Sequence, residues 1–402
     1  MNASILKSKP EYKFIISLLV LTLVIIPKGG IKVSSIPITW GYVLTFLISF
    51  ILVLDLRNLK KKFSINKQRS ISILSLLPFQ FICITSLFFN GFTDLGFAIS
   101  LIINIILLPW IYIVVFGFYF DKMNFTFFFR FLKFAIISIS IYGIFLFFFK
   151  FFTGSFIEIP FVTINQGDIG NISEKNIDRG EVFKLISTYN NGNIYGVCML
   201  MLLPLYSSFE KNLLKTLIVK TSIILTLSRT VWAGLFIYEI IYRIYIRKAS
   251  LKSVLYFIVS ILLSVFAVLY VLSFAGLDIS FLFDSTLGGR DSQLSYLSNL
   301  QFISYESFAS IGEVVYISIA KYFGILGLIL FSIGMTTPIL LNFISKKRSI
   351  KNNQSTIQKS IISGLIIYLF VSLSDGAFLL IPVMSFYWFL YSLLLSQNLT
   401  LE

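Results

Sequence analysis

Residues 212–246 read NLLKTLIVKTSIILTLSRTVWAGLFIYEIIYRIYI. Two apolar runs, roughly 212–227 and 231–246, flank a short break that carries one full positive charge, Arg229. Runs near this length with so few charges indicate membrane-spanning helices, because a helix in hydrocarbon satisfies its own backbone hydrogen bonds. The same pattern recurs on both sides. Apolar runs bounded by charged or Gly/Asn/Ser clusters are expected at 14–27, 38–54, 71–89, 97–120, 134–152, 193–208, 253–274, 313–343, 360–375 and 376–396. With the first pair this makes about twelve transmembrane helices in one polytopic domain spanning residues 1–402, an all-α membrane protein. Ser374, Asp375 and Gly376 are all that separates the last two.

Composition supports this reading: 57% of residues are hydrophobic and 13% charged, against about 25% charged in soluble proteins. The net charge of +15 is spread through short loops without the aromatic interleaving that stacks bases, so no nucleic-acid partner is expected. There is no histidine, which removes the commonest metal ligand and the commonest general base together. Cys83 and Cys198 lie far apart in apolar segments, so no disulfide is expected. Lys7, Lys9 and Lys13 precede an apolar run with no small-residue cleavage site, and the run is taken as the first span.

Lysine and arginine asymmetry sets the orientation. Most of the 33 basic residues, including Arg57, Lys60 to Lys62, Arg69, Lys211, Arg243, Lys252 and Lys346 to Arg348, fall in loops on one side if the N-terminus is cytoplasmic. Both termini are therefore expected inside. Two outer loops, 153–192 and 275–312, exceed the length of ordinary connections and carry enough apolar residues to pack on the bundle.

Arg229 then sits at the outer end of a span, on the side where basic residues are scarce. Snorkelling explains such an arginine in one reading and function in the other. The next outer loop supplies Arg290 within LGGRDSQ, and upstream YNNGN opens a span with Asn191 and Asn193. These asparagines bind sugar hydroxyls or cap the span. Tyr316, like Tyr195 and Trp232, reads as an interfacial anchor or a substrate contact.

In their order these features resemble the bacterial O-antigen polymerase (Wzy) and O-antigen ligase superfamily. There an N-x-N segment opens a span, an S-R-T/S-x-W/L-x-G segment follows, and a large periplasmic loop holds a second arginine. The matching positions are Asn191 and Asn193, then Ser228, Arg229, Thr230, Trp232 and Gly234, then Arg290, within about 185–330. The ligase branch adds a histidine before a G-x-x-G turn. Counting back from Gly324 and Gly327, that position is Glu313, so the polymerase branch fits better.

The resemblance implies a GT-C-like bundle with two long periplasmic loops, in a bacterial inner membrane. The implied activity joins repeat units carried on undecaprenyl pyrophosphate, as donor and acceptor, into O-antigen or a related surface polysaccharide. A polysaccharide chain-length regulator is an implied partner, and no metal or cofactor is expected. Arg229 and Arg290 would hold the departing pyrophosphate, a task suited to a planar fork that stays protonated. Glu313 would receive the acceptor proton, with Glu306 on the same face if the helix extends back that far. Otherwise Glu313 is a helix N-terminal residue favoured by the macrodipole. Ser228, Arg179 and Asp291 join the asparagines and Tyr316 as candidate substrate contacts, although Asp291 beside Arg290 is equally suited to pair with it. Rival readings are a lipid-linked oligosaccharide flippase or other transporter, expected to place charges at mid-span depth, and an O-antigen ligase, disfavoured by the missing histidine.

Overall fold

The computed structural model describes residues 14–396 apart from 16–17, 34–35, 59–64, 122–124, 165–177, 180–181, 247–249, 275, 277–290 and 349–355. Helix dominates it, and each expected span contains helix among the described residues. In chain order these are α1 (Leu21–Ile25, a π-type turn), α2 (Trp40–Asn58), α3 (Lys67–Phe89), α4 (Leu95–Phe120), α5 (Thr126–Thr153), α6 (Gly192–Phe209), α7 (Leu213–Ile224), α8 (Arg229–Ile241), α9 (Leu251–Phe274), α10 (Val315–Arg348), α11 (Thr356–Val371) and α12 (Ile381–Leu394). Five of them, α3, α4, α5, α6 and α10, are long and apolar enough to cross a membrane. The protein is membrane-embedded.

Helix starts follow from short polar side chains. Asn66, Asp94, Asn191 and Asn212 each accept a backbone N–H of the first turn that follows, a contribution of about 1 kcal/mol apiece. Inside α4, Pro109 lacks an N–H, and wide π-type stretches flank it at Ile103–Leu107 and Ile111–Phe116; these are the adjustments a proline forces on a helix that must keep its other bonds.

Packing centres on α6, which is buried on nearly every side, from Ile194 to Ser207. A helix apolar all round belongs in an interior. It lies along α11 and contacts α5, α7, α8 and α12. Closeness to α11 rests on Gly364, where a Cβ would strike the Met201 carbonyl oxygen. A second layer pairs α3 with α10. Cys83 and Cys198 are free and buried.

Four outcomes add to or differ from the sequence expectation. The chain is mostly helical, as an all-α membrane protein should be, and adds two short antiparallel ribbons, β1 (Gly30–Val33) with β2 (Ile36–Thr39), and β3 (Asp178–Arg179) with β4 (Val182–Phe183). The α11–α12 connection is longer than Ser374 to Gly376, running from Ser372 to Leu380. The reason is local: Ser372 and Gly376 spend their backbone groups on the start of α10, and Pro382 opens α12 at a position where its missing N–H costs nothing.

Third, α10 is broken at Gly324, whose φ of 76° and ψ of 175° admit only glycine. The N–H groups freed there donate to a loop strand, Ile325 to the Gln301 carbonyl (2.9 Å) and Leu326 to that of Phe302 (3.1 Å). Further along, Phe308 exchanges backbone bonds with Gly91 (3.0 Å) and Thr93 (2.8 Å), so the loop before α10 is tied to the α3–α4 turn. Fourth, Arg69 is not a loop cation. It is 2% exposed, forks onto both Asp121 oxygens (3.1 and 3.3 Å), and donates to the Ile113 carbonyl (3.3 Å) and the Ser392 hydroxyl (2.9 Å).

Candidate functional site

The helix α8 begins with the S-R-T-x-W-x-G segment, and the side chains or close packing of three of its five fixed positions have a visible structural task. Ser228 is the N-cap residue by backbone geometry, buried, with no capping bond from its hydroxyl. The Thr230 hydroxyl pairs with that of Ser374 (2.9 Å). Trp232 donates its indole N–H to the Ile224 carbonyl (2.9 Å), closing the α7–α8 turn. Gly234 receives Leu200 and Val371, which a Cβ would meet. Arg229, the first residue of α8, is half-buried on the exit from this turn.

Two asparagines that are neighbours in sequence do different jobs. Asn191 caps α6, accepting from Asn193 (2.9 Å) and Ile194 (3.2 Å) N–H groups. Asn193 instead bridges charges: its Oδ1 accepts from the Lys184 ammonium (3.2 Å) and its Nδ2 donates to Asp375 Oδ2. Only one orientation of the amide satisfies both partners, so the bridge is fully specified. Lys184 and Asp375 are 8% and 5% exposed, and burial raises the cost of breaking such a chain.

Lys184 is positioned by the loop before α6. Leu185 N–H donates to the Leu225 carbonyl (2.9 Å), and Gly192 leaves room for Lys184 and the Thr226 carbonyl. Asp375 is positioned from the other side. Its loop takes a bond from Val315 N–H to the Ser372 carbonyl (3.2 Å) and gives one from Gly376 N–H to the Glu313 carbonyl (3.1 Å). The α11–α12 loop therefore gathers the starts of α6, α8 and α10 at one end of the bundle.

Glu313 is exposed in the last turn before α10. Next to it, Val314 N–H donates to Gln293 Oε1 (3.0 Å), which anchors the chain three positions after Arg290 beside Glu313. Arg290 itself lies outside the described residues, as do the side chains of Asp291 and Arg179; by backbone, Asp291 starts a short helical turn and Arg179 belongs to β3. Tyr316 commits its hydroxyl to the Leu369 carbonyl (2.8 Å). Glu306 does not share a helical face with Glu313, because α10 begins only at Val315. It pairs with Lys321 (3.5 Å), whose ammonium also lies 3.6 Å from the Tyr296 ring centre.

Sequence reasoning missed Lys184 and Asp375. A signal existed for each: a carboxylate between two apolar runs and a cation on the side where cations are scarce are both costly in a membrane protein. No protein-family model matches the chain, and no curated protein matches it.

Proposed function

We propose that the chain is a twelve-span inner-membrane glycosyltransferase of the O-antigen polymerase type, with both termini cytoplasmic and the Asn193–Asp375 end facing the periplasm. It joins undecaprenyl-pyrophosphate-linked repeat units into O-antigen or a related surface polymer. The observation that carries this reading is the convergence of the N-x-N, S-R-T and Glu313 segments on one loop, Ser372 to Gly376. Motifs spread over more than a hundred residues thereby belong to one place.

In the proposed step the acceptor hydroxyl oxygen attacks the anomeric carbon of the donor sugar, and the carbon–oxygen bond to pyrophosphate breaks with inversion. Glu313 takes the hydroxyl proton. Arg229 and Arg290 carry the negative charge that develops on the leaving group, a role worth about 10²–10³-fold for a single fixed donor. Guanidinium groups supply that charge, so the step as drawn is metal-independent. The Lys184–Asn193–Asp375 chain fixes the floor on which the sugar rests.

A second reading, a lipid-linked oligosaccharide transporter, is favoured by one observation: Lys220 of α7, Glu239 of α8 and Arg243 of the π-type turn Tyr242–Ile246 that follows α8 form a charged cluster. One assay separates the two. Purified protein in liposomes is given a lipid-linked repeat unit, and products are sized on a gel while the unit's sidedness is followed. Ladders of polymer support the transferase; movement across the bilayer with no ladder supports the transporter.

A further inference from the structure

The opposite end of the bundle holds a cavity of about 960 Å³ between the end of α6 and helices α7, α8 and α9. Its charged lining is Lys211, Lys220, Arg243 and Lys252 against Glu210 and Glu239. The balance is unequal beyond that count. Glu239, 6% exposed, is shared between the Lys220 ammonium and Arg243 Nε (3.5 Å), so two cations divide one carboxylate. Glu210 is already engaged by Lys133 (3.2 Å) from outside the lining. Burial pushes the Glu210 carboxyl up, but the Asn212 N–H and Lys133 outweigh it and hold it below its usual range. It stays ionised and paired at neutral pH. Lys211 and Lys252 present exposed side chains to the same space.

Hydroxyl donors stand among these cations, Ser207, Ser208 and Ser260 included. The wall also carries an apolar part, Leu213, Ile246, Val259 and Leu263. Leu213 and Leu263 line the cavity and are largely exposed, at 71% and 63%. Lys220 lies in the second turn of α7 and beyond, roughly 10 Å along the axis from Leu213 at 1.5 Å per residue. Cationic groups therefore sit inside a space flanked by exposed apolar side chains. An anion with an apolar tail satisfies both surfaces, whereas a soluble anion satisfies one. The volume reaches the upper part of the 300–1,000 Å³ range of ligand sites.

We propose that this cavity binds the phosphate of an anionic membrane lipid, with its acyl chains against α7 and α9. The site is separate from the Asn193–Asp375 end and does not depend on the glycosyltransferase reading.

The test is lipid binding to the purified full chain in neutral detergent, read by native mass spectrometry. The probes are dioleoylphosphatidylglycerol, dioleoylphosphatidylcholine and inorganic phosphate. Expected is at least tenfold preference for phosphatidylglycerol over phosphatidylcholine, reduced at least fivefold in the double variant Lys211→Gln with Lys252→Gln. Both lysines are exposed, so that variant keeps its fold. Glu239→Gln removes the internal competitor and is expected to tighten binding, whereas simple damage to the cavity would weaken it. Equal affinity for the two lipids, or weaker binding in a Glu239→Gln protein whose melting temperature is unchanged, overturns the proposal. Inorganic phosphate binding as tightly as phosphatidylglycerol overturns the lipid as the source and leaves a free-phosphate site.

Discussion

The two ends of this bundle are built by different means. Among the described residues, every non-glycine with a left-handed φ lies at the Asn193–Asp375 end: Phe161, Ser187, Asn190, Leu227 and Ala377. Three of them immediately precede or follow site segments, Asn190 before α6, Leu227 before Ser228, and Ala377 after Gly376. The end that carries Arg69, Lys220, Glu239 and Arg243 reaches its geometry with helix, π-type at Ile111–Phe116 and Tyr242–Ile246, and with ion pairs. Strained backbone costs of order 1 kcal/mol per residue and persists only where surrounding contacts over-determine it, a condition that clusters at functional sites. Charge pairing serves structure or ligand holding without such strain. The contrast teaches that the strained end is the place to look for chemistry.

The largest expected effect tests the unstrained end. Arg69→Ala takes the guanidinium fork away from the Asp121 carboxylate and from two other acceptors, and removing one member of a largely buried pair costs up to about 3–5 kcal/mol. Thermal unfolding in detergent is expected to shift down sharply, with activity lost in proportion to folded protein. An unchanged melting temperature would reassign Arg69 from structure to function and blur the contrast.

At the strained end the signature reverses. Arg229→Ala is expected to lower polymer synthesis about 10²–10³-fold while the melting temperature stays within a few degrees, because Thr230, Trp232 and Gly234 hold the α7–α8 turn without it. Repeat units would accumulate unjoined. Normal chain lengths from the well-folded variant would refute the pyrophosphate role.

Asp375→Asn is intermediate. It replaces the charge that faces the Asn193 amide in the Lys184–Asn193–Asp375 chain, at a cost of about 1–3 kcal/mol for a disturbed buried hydrogen bond. Asn193→Ala in the same background is expected to add little, since both act through one chain. Additive losses in that double-mutant cycle would show that the two side chains act separately.

These positions also mark what the sequence made legible. Helical segments were readable because hydropathy is a local, repeated signal, and α3, α5 and α6 lie within a few residues of expectation except for the earlier start of α5 at Thr126. The break at Gly324 was not readable, since it depends on carbonyls of Gln301 and Phe302 arriving from a loop. Nor was the Asn193–Asp375 contact, which joins residues 182 positions apart and leaves no periodic trace. Asn191 illustrates the intermediate case: capping was foreseen as one of two roles, and the structure makes that bond. Arg229 stands out in the sequence by its charge and by the S-R-T segment that resembles the polymerase and ligase superfamily, and its neighbours' tasks become visible only with α6, α8 and α11 packed together.

The smallest predicted effect bears most directly on strain. Ala377 holds φ at 45°, a conformation that costs an L-residue roughly 1–2 kcal/mol. Ala377→Gly removes that cost, but glycine surrenders about 0.5–1 kcal/mol more chain entropy on folding, so the two effects nearly cancel. Melting temperature is expected to move by less than about 3 °C, the response of a few tenths of a kcal/mol in a chain this size. Polymer synthesis is expected to fall several-fold, because the loop carrying Asp375 loses the residue that limits its alternatives on the α12 side. Full activity at unchanged stability would make the left-handed residue a by-product of chain reversal between α11 and α12. The difference between the two ends would then reduce to how each distributes its charge.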